Sequence, residues 1–327
     1  MAVTRPKVKA MVPMGIYSLI ALGVLIVILL FIRFWPEKEP LPEPVAPQES
    51  TPPPNPIGTA STIGQRQLQQ DLTGSALGDE GGLLLLADGR GQAGKIAAKL
   101  AIDTCLDLYQ ECPVMDKPQY YFRKAFQAAN HKILSVLEDG RGSTCLVAAI
   151  IQRGQLFYAL VGDSRIALFR DGDLVPVTEG QTIDILAQHR YQQGRISKEQ
   201  ALKLLHERRL YNFVGQDGFH DIEFFSKPID LQPGDIVVIL SDGVTETAPW
   251  RKIEDCLAAN LTPQEKAGQI IALVEESKQE DKDNASVILY DTYNPAEMPI
   301  VKPQGRKKKR STYFEKIKQR LSDSICL

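Results

Sequence analysis

The pattern of hydrophobic and polar positions divides the chain into three unequal parts. Residues 10–32 include no charged side chain, and residues 15–32 are almost wholly apolar. The next segment, 36–56, is rich in proline and glutamate and includes no aromatic side chain. From Ile57 to about Asn294, short apolar runs alternate with amphipathic stretches, which is typical of a folded domain.

The apolar run over 15–34 has the length of a membrane-spanning helix, for which about 20 residues suffice. A cleaved signal peptide is the alternative, but its apolar region is usually shorter and ends in a small-residue cleavage site. Here Arg33, Phe34 and Trp35 follow instead. We therefore predict a short basic N-terminus over 1–14, a transmembrane helix over 15–34 and an extended, semi-rigid linker over 35–57.

Periodicity inside residues 58–294 predicts strands in adjacent runs and helices in pairs. The expected helices lie at about 92–111, 118–138, 181–191, 197–208, 250–259 and 262–277. The expected strands lie at about 144–152, 156–161, 165–169, 221–227, 235–240 and 285–291, in addition to an apolar strand that holds Leu83–Leu86. The Asp-Gly pair within 170–174 predicts a tight turn between two strands. This order indicates an α+β layered fold rather than an alternating βαβ fold.

Composition excludes several classes of function. A formal net charge of -2 gives no overall electrostatic reason to expect a nucleic acid partner. The five cysteines form no CxxC pair and the four histidines form no HExxH motif, which argues against a zinc site. The odd number of cysteines also argues against a disulfide framework and fits a reducing compartment.

The C-terminal tail, 295–327, departs from this overall balance of charge. Arg306–Arg310 is an unbroken basic run, and residues 313–325 could form a basic amphipathic helix. A solvated tail and contact with anionic lipid are the two main hypotheses for it, and nucleic acid or a nuclear address is a remote third.

Several aspartates share one setting, at the end of an apolar strand and beside a glycine or asparagine. They are Asp88, Asp163 and Asp242, with Asp283 just before a strand and Asp71 upstream of the first strand. One such acid is usually a turn or a helix cap. Several half-buried carboxylates in one domain repel each other unless cations neutralise them, and Mg²⁺ and Mn²⁺ prefer oxygen ligands. The pattern alone leaves turns and a magnesium or manganese site as open alternatives.

Six segments carry a more specific resemblance. They are RQLQQD, ADGRG, GSTCLVAAI, ALVGDSRIALFRDGDLVPVTEGQT, GDIVVILSDGV and DNASVILY, in this order over about 58–291. This ordered set resembles the metal-dependent protein serine/threonine phosphatases of the 2C type, as found in bacteria. The resemblance implies a catalytic domain over 58–294 with an αββα four-layer sandwich, in which two mainly antiparallel β-sheets are flanked by helix pairs.

The resemblance also implies a centre of two Mn²⁺ or Mg²⁺ ions. By its motifs, Asp88 would bridge both ions and Gly89 would offer its carbonyl oxygen. Asp242 and Asp283 would complete one ion, and Asp71 would contribute directly or through water. Such a centre lowers the pKa of a bound water, and the hydroxide attacks the phosphorus of a phosphoserine or phosphothreonine.

Three further residues follow from the same motifs. Asp163 is similar to an acid that helps to hold a third, weaker ion in several bacterial members. Asn284 belongs to the final motif. Arg66 stands five residues before Asp71, where the family often has a phosphate-binding arginine, and an ordinary surface arginine is the alternative.

The chain departs from the family pattern at three places. Arg90 and Gln92 follow Asp-Gly where a histidine or methionine and a second glycine are common, so a histidine general acid is lacking and Arg90 could bind phosphate instead. Gln70 replaces an acid beside Asp71, which removes one negative charge. The insert over 180–212 is rich in Gln, His and Arg, and it is expected to be either a solvated helix pair or a surface for an acidic phosphopeptide.

These observations favour a membrane-tethered protein phosphatase with a phosphorylated protein as its substrate. The alternatives are a pseudophosphatase that acts as a membrane-bound binding module, and a regulatory phosphatase of the kind that acts on anti-sigma-factor antagonists. Basic residues before the span, over 5–9, place the N-terminus in the cytoplasm by the positive-inside rule, which puts the catalytic domain on the outer side. Kinases, ATP and an anionic inner leaflet argue for a cytoplasmic catalytic domain, which is the side that we expect.

Overall fold

The computed structural model describes residues 22–26, 29, 33, 55–78, 80–111, 116–137, 141–219 and 221–292. The chain divides into two units, Met1–Pro52 and Pro53–Leu327. In the first unit, residues 22–26 are helical. Among the residues so described, no helix is both long and apolar enough to cross a membrane. Most of the predicted span over 15–34 lies outside the described residues, as do the linker before Asn55 and the basic tail after Thr292.

Two antiparallel β-sheets form the centre of the second unit. The strands are β1 Ile57–Thr62, β2 Asp71–Gly78, β3 Gly81–Arg90, β4 Ser143–Gln152, β5 Gln155–Val161, β6 Arg165–Arg170, β7 Asp173–Pro176, β8 Glu223–Phe224, β9 Ile229–Asp230, β10 Ile236–Leu240 and β11 Ala285–Asp291. The β3 sheet has the order β2-β3-β4-β5-β8, with β9 also paired to β5. The β10 sheet has the order β1-β11-β10-β6-β7.

Helices cover both sheets. They are α1 Gly94–Glu111, α2 Pro118–Val136, α3 Ile183–Gln192, α4 Lys198–Leu204, α5 Asp242–Thr247, α6 Trp250–Ala258 and α7 Pro263–Glu276. α1 packs on β2, β3 and β4 and against α2, while α7 packs on β1 and β11 and against α6. The predicted four-layer arrangement of two packed antiparallel sheets with flanking helices is therefore confirmed.

The leucine run of β3 explains why this strand is a rigid element. Leu83 to Leu86 are all fully buried, although successive side chains on a strand point to opposite faces. β3 lies between β2 and β4, with α1 packed on it and with β10 and β11 of the other sheet close to it. Each leucine contributes about 1.5–3 kcal/mol through burial, so the position of the strand end is well fixed.

Successive side chains of β10 alternate between two hydrophobic clusters. Val237 and Ile239 pack into the cluster shared with the β3 sheet. Val238 and Leu240 point the other way, into a second cluster with residues of α6 and α7. This period of two is what a strand buried on both faces requires.

Three expectations about local structure need correction. The sequence predicts Asp71 upstream of the first strand, but it is the first residue of β2, and β1 precedes it. β1 has weak apolar character, and antiparallel pairing with β11 stabilises it. The helix expected over 197–208 ends at Leu204, and the strand expected over 221–227 is reduced to Glu223–Phe224.

The predicted tight turn is confirmed. Asp171 and Gly172 both have positive φ, of 55° and 85°, and they join β6 to β7. Positive φ at two successive residues is the requirement of the hairpin turn that Asp-Gly favours.

Candidate metal centre

Asp71 and Asp88 lie opposite each other in the antiparallel register of β2 and β3. Both are buried, with 6% and 7% of their surface exposed. On the other side of β3, Asp88 is opposite Cys145, and the Thr144 hydroxyl donates a hydrogen bond to the Asp88 carbonyl oxygen at 2.9 Å. The register of three adjacent strands thus fixes the first two carboxylates.

Loops and a helix start bring further carboxylates to the same place. Asp163 follows β5, and Asp242, after β10, is the first residue of α5. One guanidinium nitrogen, Nη2 of Arg90, lies 2.8 Å from Asp242 Oδ2, 3.1 Å from Asp163 Oδ2 and 3.4 Å from Asp88 Oδ2. Because a single atom contacts all three side chains, these carboxylates form one cluster.

Asp283 completes the group through a different segment. It precedes β11, and its Oδ2 accepts a hydrogen bond from Arg66 Nη2 at 2.8 Å. The Asn284 side-chain oxygen accepts a hydrogen bond from the Gln70 backbone N–H at 2.8 Å. Its side-chain nitrogen donates one to the Ile63 carbonyl oxygen at 2.9 Å. Asn284 therefore ties the loop that carries Arg66 to the segment that carries Asp283.

Burial and mutual repulsion raise the pKa values of carboxyl groups in the cluster. Burial raises the pKa of Asp71 to about 6, although the nearby Ser286 and Ser241 hydroxyls act in the opposite direction. Burial, with repulsion from Asp163, raises the pKa of Asp242 to about 7. Burial, followed by repulsion from Asp242 and Asp71, raises the pKa of Asp88 well above its ordinary value. Negative charge at this place is costly unless cations balance it.

The donor set fits Mg²⁺ or Mn²⁺. It consists of carboxylate oxygens and backbone carbonyls, which are the ligands that these hard cations prefer. Asp71 Oδ2 is buried and has no hydrogen-bond partner among the described residues, which suits an atom that a cation contacts. A Cβ on Gly89 would lie 2.3 Å from the Gly94 carbonyl oxygen and 2.8 Å from that of Gln70, so only glycine permits this approach of the backbone.

Cys145 is a part of the cluster that sequence reasoning missed. Its Sγ lies 3.2 Å from Asp163 Oδ1, and one ligand atom each of Asp88, Cys145 and Asp163 lie within 4.8 Å of one another. Gly162 has a φ of 109°, and a Cβ there would lie 2.3 Å from Cys145 Sγ. Cys145 lies in the segment GSTCLVAAI. Only the pairing of β4 with β3 shows that this cysteine lies beside the carboxylates.

Two cavities open on the cluster. One has a volume of about 400 Å³, and its lining includes Arg66, Asp88, Gly89, Arg90 and Asp283. The other has a volume of about 340 Å³, and its lining joins Asp163 and Asp242 to residues of the insert over 180–212, among them Gly180, Asp184 and Arg208. The structure thus brings every predicted ligand and Arg66 to one region, with the insert beside it.

Known proteins with similar sequences are protein phosphatases. Residues 58–276 match the family model described as protein phosphatase 2C. The chain is 29% identical over 219 residues to the serine/threonine phosphatase stp of Listeria welshimeri, covering 64% of this chain and 84% of that protein.

The similar solved structures are also serine/threonine phosphatases. The S. agalactiae serine/threonine phosphatase is 26% identical, with a TM-score of 0.60, over 72% of this chain and 98% of that one. The catalytic domain of the serine threonine protein phosphatase PstP, in complex with two manganese ions, is 25% identical, with a TM-score of 0.57, over 72% of this chain and 96% of that one.

The chain therefore belongs to the protein phosphatase 2C family. The prediction of a serine/threonine protein phosphatase is confirmed, since the family match covers more than half of the chain and the similar proteins carry that activity in their names.

Proposed function

We propose that this chain is a membrane-tethered phosphatase that hydrolyses phosphoserine and phosphothreonine in proteins at a centre of two Mn²⁺ or Mg²⁺ ions. The observation that carries the proposal is the convergence of Asp71, Asp88, Asp163 and Asp242 on one buried cluster, with Asp283 at its edge. The manganese ions of the similar PstP domain support the choice of metal.

Asp71, Asp88, Asp242 and Asp283 would hold the two ions together with the Gly89 carbonyl oxygen, and Asp163 is the acid for a third, weaker one. Bound there, the ions would lower the pKa of a water molecule that then serves as the nucleophile. Raised pKa values at Asp71, Asp88 and Asp242 are expected of carboxylates whose charge a cation normally balances.

Arg66 is placed to bind the phosphoryl group of the substrate. It lines the same cavity as Asp88 and Gly89, and its side chain is 58% exposed, so it can reach a ligand without breaking the core. A guanidinium presents two parallel N–H donors, which match two phosphoryl oxygens. Arg90 cannot act as a general acid, because guanidinium does not release its proton in proteins.

Phosphate release from para-nitrophenyl phosphate tests this function. The Asp88→Asn/Asp242→Asn double variant is expected to lose more than about a hundredfold in manganese-dependent rate, because two metal ligands lose their charge. Asp103→Asn is the matched control, since Asp103 forms an exposed ion pair with Lys99 on α1, and its rate should not change. Equal manganese-dependent rates for the double variant and the unaltered chain would contradict the proposal, and background rates in both would favour a pseudophosphatase.

The membrane tether is the second part of the proposal. It is supported by the uncharged run over 10–32, by the helical residues 22–26 and by the proline-rich segment before the folded unit. Protease treatment of sealed vesicles tests it. A cytoplasmic catalytic domain would be cleaved only from the cytoplasmic side, and recovery of the full chain in the soluble fraction would refute the tether.

A further inference from the structure

Arg90 has an unusual place for a cationic side chain. Its Nη2 lies within 3.4 Å of four oxygen atoms, Asp242 Oδ2, both oxygens of Asp163 and Asp88 Oδ2. Its side chain is 38% exposed, yet its Nε is buried and has no hydrogen-bond partner among the described residues. The guanidinium is therefore held through one nitrogen, Nη2, by hydrogen bonds to the carboxylates.

A divalent cation needs the same oxygens that Arg90 contacts. Mg²⁺ binds oxygen ligands at about 2.0–2.1 Å, so an ion held by Asp88 or Asp242 would occupy space next to the Arg90 nitrogen. Like charges at such distances repel strongly in a partly buried site. Arg90 cannot relieve the repulsion by losing a proton. Ion and guanidinium therefore exclude each other at these carboxylates.

The backbone around Arg90 is fixed, so the exchange has to occur by rotation of its side chain. Arg90 pairs with Ser143 in the register of β3 and β4. The next residue, Gly91, accepts a hydrogen bond from Gln70 Nε2 at 2.8 Å. The cavity of about 400 Å³ that Arg90 lines offers space for the displaced guanidinium beside Arg66.

We propose that Arg90 is an internal counter-ion of the carboxylate cluster, which competes with divalent cations for Asp88, Asp163 and Asp242 and so sets the metal affinity of the centre. This inference rests on the metal centre proposed above. It assigns a role to the residue at which the chain departs from the family motif, and that role differs from proton donation and from binding of substrate phosphate.

Titration calorimetry with MnCl₂ alone tests the proposal on the full-length, chelator-treated chain. Arg90→Met is expected to bind Mn²⁺ about tenfold or more tightly, because the ion no longer has to break charge-assisted contacts. Arg90→Lys, which keeps the positive charge, should remain close to the unaltered chain. Arg153→Met is the matched control, since Arg153 forms an exposed pair with Glu80, and its affinity should not change.

Thermal unfolding separates this role from a merely structural one. In chelator, Arg90→Met should melt at a lower temperature, since three carboxylates lose their counter-ion. Addition of Mn²⁺ should raise the melting temperature of Arg90→Met by more than it raises that of the unaltered chain. A residue with only a packing role would lower both melting temperatures, in chelator and in Mn²⁺, by the same amount, and an equal Mn²⁺-induced rise in the two proteins would overturn the proposal.

The two proposals fail in different ways. If the unaltered chain binds Mn²⁺, Asp242→Asn weakens that binding and Arg90→Met leaves it unchanged or weaker, only the counter-ion role is wrong. If neither the unaltered chain nor Arg90→Met binds Mn²⁺, the metal centre and the counter-ion role are both wrong.

Discussion

Stability of the chelated protein should rise as the pH falls from 7.5 to 5.5. Asp71 and Asp242 have folded pKa values of about 6 and about 7, both above the ordinary value of 3.8. Each carboxyl therefore binds its proton more tightly in the folded protein than in the unfolded chain. The destabilisation is complete above pH 7 and disappears as the pH falls through these values towards 3.8.

The magnitude follows from proton linkage. Over this interval Asp242 contributes about 2 kcal/mol and Asp71 about 1 kcal/mol if they titrate independently. Repulsion couples these groups, so we expect a total of about 2–3 kcal/mol, which corresponds to roughly 5–10 °C in the melting temperature of a domain of this size.

Calorimetric or fluorescence melts in chelator at the two pH values measure this difference. Asp242→Asn should remove more than half of the dependence on pH, because the larger contribution is lost. Saturating Mn²⁺ should reverse its direction, since an ion competes with protons for the carboxylates. A melting temperature in chelator that stays constant or falls between pH 7.5 and 5.5 would refute the assignment of raised pKa values to the cluster.

Three further variants test separate contacts of the site. Gly89→Ala should destabilise the protein by about 1–3 kcal/mol in urea unfolding and weaken Mn²⁺ binding, because its Cβ would clash with the Gly94 and Gln70 carbonyl oxygens; unchanged values would show that the backbone there can yield. Arg66→Met should lower kcat/KM for a phosphopeptide by about ten- to a hundredfold, whereas Arg153→Met should not, and equal values for both would remove Arg66 from phosphate binding. Asn284→Ala should cost about 1–3 kcal/mol in urea unfolding, because two hydrogen bonds to the Arg66 loop are lost, and a smaller loss would show that other contacts hold this loop.

The layered fold was predictable because local patterns and tertiary packing agree in most of the chain. The leucine run of β3 predicts a buried strand, and the Asp-Gly pair before β7 predicts a tight turn. Both predictions are confirmed. β1 was missed because its stability depends on pairing with β11, more than 200 residues away, rather than on its own apolar pattern.

The site could be predicted as a set of residues but not as a geometry. The acidic motifs identified Asp88, Asp242 and Asp283, yet nothing in the sequence shows that Asp71 pairs with Asp88 across two strands. The sequence also marked Arg90 as a departure from the family motif. Its contact with three carboxylates depends on loops from both sheets, and only the folded structure shows it.

The proposed activity of this cluster is the hydrolysis of phosphoserine and phosphothreonine with the help of divalent cations. Phosphate release from a phosphothreonine peptide, measured across a titration of MnCl₂ into the chelated full-length chain, tests it most directly. We predict release that rises with Mn²⁺, returns to background in chelator and is lost in the Asp88→Asn/Asp242→Asn variant. Release that is independent of Mn²⁺, or that persists in this variant, would show that this cluster is not a metal-dependent catalytic centre.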